Sequence, residues 1–290
     1  MTSTRIIAKL DIKGPNVVKG IQLEGLRVLG KTIDFATAYY RDGADELIYM
    51  DAVASLFGRD SLLDIVRKTA RGVFVPLTVG GGIRDKEDIK NTLRAGADKV
   101  GLNTAAVSNP ELINEAARTF GASTIVVSIE AMKHGDGEYE AYTDYGREPS
   151  GRDVFQWAEE VQSRGAGEIL LTAVKCDGTR TGFDIDLVRR VAGGVSIPVI
   201  AAGGAGSPSD VGEVLTDGLA DAASIASALH YDLITRIELD EADFAAEGNV
   251  EYLKAMKTKQ DDKRCSLGEL KSYLSGQNIE VRMMPEGRVE

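Results

Sequence analysis

One phrase is written twice in this chain, and that repetition restricts the fold more than any other feature. "PLTVGGGIRD" occupies 76–85 and "PVIAAGGAGS" occupies 198–207, 122 residues further on. Each is a proline, a short apolar run and a cluster of glycines. Shifting the first half by 122 or 123 also lays Glu46 on Glu168 and Asn103-Thr104 on Ala226-Ser227. The same shift lays "ADKVGLNTAAV" (97–107) on "ADAASIASALH" (220–230). An offset held through several motifs means that the second half repeats the first.

Each half holds four apolar runs, each followed by a helical pattern. The runs lie at 5–12, 45–52, 75–81, 99–103, 123–130, 168–174, 198–204 and 221–227. Nearly continuous apolar strands alternating with amphipathic helices indicate a parallel sheet covered by helices. Eight such units predict a closed (β/α)8 TIM barrel, an α/β fold of one domain spanning 1–290. Its half-barrels run over about 1–120 and 121–235, with an insertion at about 236–266 and a last helix at about 267–275. In "SNPELINEAARTFG", Ser108 reads as a helix cap, Pro110 as first turn and Gly121 as stop.

A net charge of -11, with no basic run of five residues, excludes nucleic acid and anionic membranes as partners. No apolar run reaches the roughly 18 residues of a membrane span, and "MTSTRIIAKLDI" lacks a signal-peptide core. Cys176 and Cys265 are isolated, which fits a reducing cytoplasm. No metal cluster and no cofactor motif emerge, so neither is expected.

In such barrels, ligands bind at the C-terminal ends of the strands, often with phosphate after strands seven and eight. Glycines there let backbone N–H groups approach an anion, and a following helix start favours negative charge. Gly203 and Gly204 with Ala226 and Ser227 make one such cup, to which Asp177 and Gly178 of "KCDGT" are added. The duplication supplies a second from Gly81, Gly82, Asn103 and Thr104, on the opposite side of the mouth. A ligand phosphorylated at both ends is expected.

Between the cups, the first strand ends in Asp11 and the fifth in Glu130, facing each other across the axis. Opposed carboxylates, one ionised and one protonated, suit general acid–base work. Asp51 after the second strand reads as a helix cap, and His134 and His230 as bystanders. At the opposite end, Arg5, Glu46, Lys99 and Glu168 sit at or near strand starts. Arg5 shares side-chain parity with Asp11 and points inward. These four charges either plug the barrel floor or ring an opening through it.

The chain resembles the cyclase subunit of imidazole glycerol phosphate synthase. The resemblance rests on "RIIAKLDI", "VVKG", "DELIYMD", "PLTVGGGI", "ADKVGLNTAAV", "GAGEILLTAV", "DGT" and "IAAGGAG". It implies a bisphosphate substrate, catalytic carboxylates at Asp11 and Glu130, and an ammonia gate at Arg5, Glu46, Lys99 and Glu168. It further implies a glutaminase subunit docked on the floor as a heterodimer, with Asp98 facing it. Departures are Glu130 where an aspartate is usual, Lys9 for a small residue, Lys175-Cys176 ahead of "DGT", Ala202 for a serine, and the insertion. They resemble a paralogous branch linked to amidination of surface-polysaccharide sugars. The implied function is the ammonia-dependent cyclase of histidine biosynthesis, with Asp11 as base and Glu130 as acid. The alternatives are an ammonia-conducting barrel serving a sugar amidotransferase, and the related sugar isomerase, which needs no ammonia gate.

Overall fold

The computed structural model describes residues 3–53, 60–237 and 263–284. In chain order the strands begin with β1 (Arg5–Lys13), β2 (Asn16–Ile21), β3 (Glu24–Lys31) and β4 (Glu46–Asp51). Then come β5 (Leu77–Gly80), β6 (Lys99–Leu102), β7 (Ile125–Lys133) and β8 (Tyr139–Thr143). Last are β9 (Glu148–Asp153), β10 (Glu168–Ala173), β11 (Val199–Ala202) and β12 (Ala222–Ile225). The helices are α1 (Thr32–Arg41), α2 (Asp60–Thr69), α3 (Lys86–Ala95), α4 (Thr104–Ser108) and α5 (Glu111–Phe120). They continue with α6 (Val154–Ser163), α7 (Ile185–Gly194), α8 (Pro208–Thr216), α9 (Ser227–Arg236) and α10 (Leu267–Gly276).

Eight strands pair in parallel around a ring, in the order β1, β4, β5, β6, β7, β10, β11, β12 and back to β1. They are the eight apolar runs of the sequence, and the fold is the expected (β/α)8 barrel. Side chains alternate between the axis and the helices. The outer set packs against the helices as the main core, around Phe35, Tyr39, Tyr49 and Trp157. The inner set includes an apolar plug of Ile7, Ile48, Val126, Leu170, Ile200 and Ala222.

Local details depart from the sequence reading at a few points. Ser108 ends the short helix α4, and Pro110 is the cap position of α5, which Gly121 closes at φ 92°. Most of the 236–266 insertion, residues 238–262, lies outside the described residues.

Two antiparallel hairpins had no forecast in the sequence. β2 and β3 extend from β1, and β8 and β9 extend from β7. They too obey the duplication. Their tips, Gln22-Leu23 and Asp144-Tyr145, lie 122 residues apart and hold four left-handed residues at φ 54°, 63°, 50° and 60°. Each non-glycine residue in that region costs about 1–3 kcal/mol. Burial offsets this strain: Leu23 is buried, and so is the Tyr145 hydroxyl. Leu23 packs so tightly on Gly146 that a Cβ there would lie 2.8 Å from its Cδ1. The two hairpins therefore meet over the barrel mouth.

The floor is fastened by the chain's last segment. The Lys271 ammonium on α10 is buried and donates to Asp45 Oδ1 at 2.7 Å, to the Gly43 carbonyl at 2.8 Å and to the Arg282 carbonyl at 2.9 Å. Asp45 also accepts from the Ile6 N–H at 2.8 Å and from Arg282 Nε at 2.9 Å. Removing one partner of a buried ion pair costs about 3–5 kcal/mol. Asp45→Ala is expected to lose stability of that size in urea unfolding, because the buried Lys271 amine loses its counterion. A loss below about 1 kcal/mol would show the clasp to be ornamental.

Candidate active site at the barrel mouth

The alternation of β1 sends Arg5, Ile7, Lys9 and Asp11 toward the axis in one file. Asp11 is fully buried. Its oxygens lie 3.0 Å from Lys9 Nζ and 3.2 Å from Lys19 Nζ, a side chain of β2. Lys19 is buried as well and reaches Asp177 at 2.5 Å. Burial by itself would raise the Asp11 carboxyl, but the ammonium groups of Lys9 and Lys19 overrule it and hold it at about 2. Burial would likewise lower the Lys19 ammonium, but Asp177 and Asp11 overrule it and raise its pKa.

Glu130 on β7 has the opposite fate. Burial pushes its carboxyl up to about 7, against the pull of the Gly146 N–H, which donates to Oε2 at 2.7 Å, and of the Lys9 charge. One mouth thus holds an obligate anion and a carboxyl that keeps its proton to neutrality. Environments that drive two acids apart in this way suit general acid–base work. The buried Tyr145 hydroxyl sits among them, pushed well above its ordinary value by burial and by the charges of Asp11, Asp177 and Glu130.

Both glycine clusters open onto this same face. The first cup is a cavity of about 370 Å3 whose lining includes Gly81, Gly82, Asn103, Thr104, Arg84 and Tyr145. The second is lined by Gly178, Gly203, Gly204, Ala226, Ser227 and Asp177 together with Lys9 and Lys19, and its free space is only about 10 Å3. Gly81 and Gly204 have φ of 93° and 116°. A Cβ on Gly81 would meet the Asp51 carbonyl oxygen at 2.6 Å, and one on Gly204 the Gly182 oxygen at 2.0 Å. The helix starts match as closely. Asn103 and Ala226 share one unusual conformation, φ/ψ of -131°/-89° and -123°/-81°, and neither side chain caps its helix. By contrast Asp85, Asp153, Asp184 and Ser207 cap α3, α6, α7 and α8.

At the floor the four predicted charges form a closed ring. Arg5 bridges Glu46 at 2.8 Å and also Glu168, while Lys99 bridges Glu46 at 3.1 Å and Glu168 at 2.9 Å. Above the ring lies the apolar plug, and above that Lys9.

Other candidates resolve simply. Asp51 accepts the Val53 N–H at 3.0 Å in its own turn, and α2 begins only at Asp60, so it does not cap that helix. His230 is buried with Nδ1 2.6 Å from the Tyr39 hydroxyl, and burial pushes it down to about 3. His134 Nε2 lies 3.0 Å from Glu140. Asp98 is exposed, with Oδ2 accepting the Leu77 N–H at 2.8 Å, as Asp221 does for Val199. Cys176 and Cys265 are free thiols. The sequence reading gave Lys19, Arg84 and Tyr145 no role. For Lys19 the available signal was a lysine inside the buried run "NVVKGI".

Two matching half-barrels with a glycine-built cup from each at one mouth place the chain among the duplicated (β/α)8 proteins. Known proteins narrow this further. The family model described as "Histidine biosynthesis protein" matches residues 5–235, which is the whole barrel. The imidazole glycerol phosphate synthase subunit HisF of Legionella pneumophila is 57% identical over 206 residues, covering 71% of this chain and 97% of that one. The subunits of the same name from Methanopyrus kandleri and Myxococcus xanthus are 49% and 48% identical, over 82% and 81% of this chain and 94% and 92% of their own. The chain belongs to this histidine biosynthesis family, among its HisF subunits. No helix among the described residues is long and apolar enough to cross a membrane.

The Glu130 environment makes a stability prediction. Its pKa in the fold, about 7, lies above the ordinary 4.5, so ionisation is penalised progressively as pH rises from about 4.5 through 7. Glu130→Gln removes that penalty. Thermal or urea unfolding is expected to show it more stable than the parent at pH 8, by on the order of 3 kcal/mol, with the gain gone by pH 4.5. A gain independent of pH would contradict a buried, proton-retaining carboxyl.

Proposed function

We propose that this chain is the ammonia-using cyclase of imidazole glycerol phosphate synthase. The observation that carries the reading is the pair Asp11 and Glu130, split in ionisation and seated between two glycine-built cups. The ligand is a bisphosphorylated ribulosyl formimino-aminoimidazole carboxamide nucleotide. One phosphate lies on Gly81, Gly82, Asn103 and Thr104, and the other on Gly178, Gly203, Gly204, Ala226 and Ser227, with Lys19 held nearby by Asp177. Ammonia adds to the carbon suspended between them, Asp11 accepts a proton and Glu130 delivers one to the departing nitrogen. Cleavage and ring closure give imidazole glycerol phosphate and aminoimidazole carboxamide ribotide. A glutaminase subunit, docked on the floor near Asp98 in the cytoplasm, supplies ammonia through the ring of Arg5, Glu46, Lys99 and Glu168.

A second reading is an ammonia-conducting barrel that serves amidination of a surface sugar. One observation favours it: Lys9 braces Asp11. One assay separates the two, using the purified chain, the bisphosphate nucleotide and an ammonium salt. The cyclase turns over, and Asp11→Asn lowers kcat by a hundredfold or more, the scale of a lost general base, about 10²–10⁴. Divided by free ammonia, its rate is level below about pH 7 and falls above it, because Glu130 must be protonated to donate. A wild-type chain that binds the nucleotide without converting it supports the conducting barrel instead.

A further inference from the structure

Lys9 touches two parts of the mouth at once. Its ammonium lies 3.0 Å from Asp11 Oδ1, and the same side chain lines the second cup beside Gly204 and Ser227. The cup opens to solvent, and its enclosed space, about 10 Å3, is that of roughly one water. An anion seated deeper in it displaces a side chain of the lining. Gly204 is fixed beneath the Gly182 carbonyl. Lys19 is tied to Asp11 and Asp177 together. Lys9 is bound to Asp11 through a flexible four-carbon stem, and an ammonium is a point charge that exchanges one anion for another without geometric demand.

The brace also has a chemical cost. A carboxylate paired with two ammonium groups is a weak proton acceptor, whereas a general base works best with a pKa near the working pH. The charged and titratable groups facing Asp11 are Lys9 on its own strand, Lys19 on β2, Glu130 on β7, Tyr145 at the β8–β9 tip and Asp177 after β10, with His230 on α9 behind. Removing Lys9 from this set leaves one cation where there were two.

We propose that Lys9 is a positioning residue that couples the second cup to the base: an anion seated there draws the Lys9 ammonium off Asp11 and frees Asp11 to accept a proton. This rests on the second cup being an anion site, as in the function above. The coupling is reciprocal, so Asp11 and the anion compete for one cation.

The test is a double-mutant cycle read by binding of inorganic phosphate. In chain labelled with 15N-glycine, the Gly203 and Gly204 amides report the second cup, and 13C-labelled aspartate reports Asp11. Asp11→Asn is expected to tighten phosphate binding there about tenfold while Lys9 is present. In a Lys9→Met background the same change is expected to give less than about threefold, and Lys9→Gln serves if the methionine variant does not fold. Saturating phosphate should raise the Asp11 titration midpoint by at least one unit in the parent. In Lys9→Met the midpoint starts high and moves little. Equal effects of Asp11→Asn in both backgrounds overturn the coupling while leaving the anion site intact. Phosphate that never shifts the Gly203 and Gly204 amides overturns the site, and the coupling with it.

Discussion

A barrel strand leaves every second side chain no destination but the axis, and a charge sent there must find an opposite charge. The first strand obeys this with unusual severity, since its inward file reads Arg5, Ile7, Lys9, Asp11. Arg5 is answered by Glu46 and Glu168 from other strands. Asp11 is answered from its own strand and from Lys19 on the hairpin that extends it. The rest of the mouth follows from that second answer. Lys19 needs Asp177, Asp177 fixes the loop after β10, and the Gln22 N–H closes onto the Asp177 carbonyl at 2.7 Å. One buried carboxylate thereby organises three separate segments.

The hairpins show why the duplicated halves were kept alike beyond the glycines. Both tips adopt the same left-handed pair of conformations, and one buries Leu23 while the other buries the Tyr145 hydroxyl. Strain of this kind persists only where the surroundings over-determine it. Here the surroundings are the opposing hairpin, through Leu23 on Gly146, and the acid that Gly146 supports, through its N–H on Glu130. The cover over the mouth and the acid beneath it are therefore one mechanical unit.

Much of this was legible in the residues. The repeat foretold two half-barrels, and the apolar runs foretold all eight barrel strands. Parity alone put Arg5 and Asp11 on the axis. The first hairpin was hidden because a two-residue turn announces itself through Asn-Gly or Asp-Gly and this one reads Gln22-Leu23, and the second because its strands are joined by a four-residue loop, 144–147, without that signal. Lys19 was hidden by its company, a run buried on both sides that reads as apolar. The ionisation of Asp11 and Glu130 could not be seen because it is set by residues brought together from β1, β2, β7 and the β8–β9 turn. The four floor charges were legible as a set, but their ring needed the strand register.

The shared conformation of Asn103 and Ala226 has a consequence for handedness of use. A mouth built from two copies of one unit has pseudo-twofold symmetry, and by shape alone a two-headed guest would dock in either direction. The tie is broken by side chains that the repeat does not copy: Arg84 in the roomy cup, and Lys9 with Lys19 in the tight one. Cations that differ between the two cups thus give a symmetrical frame an electrostatic direction.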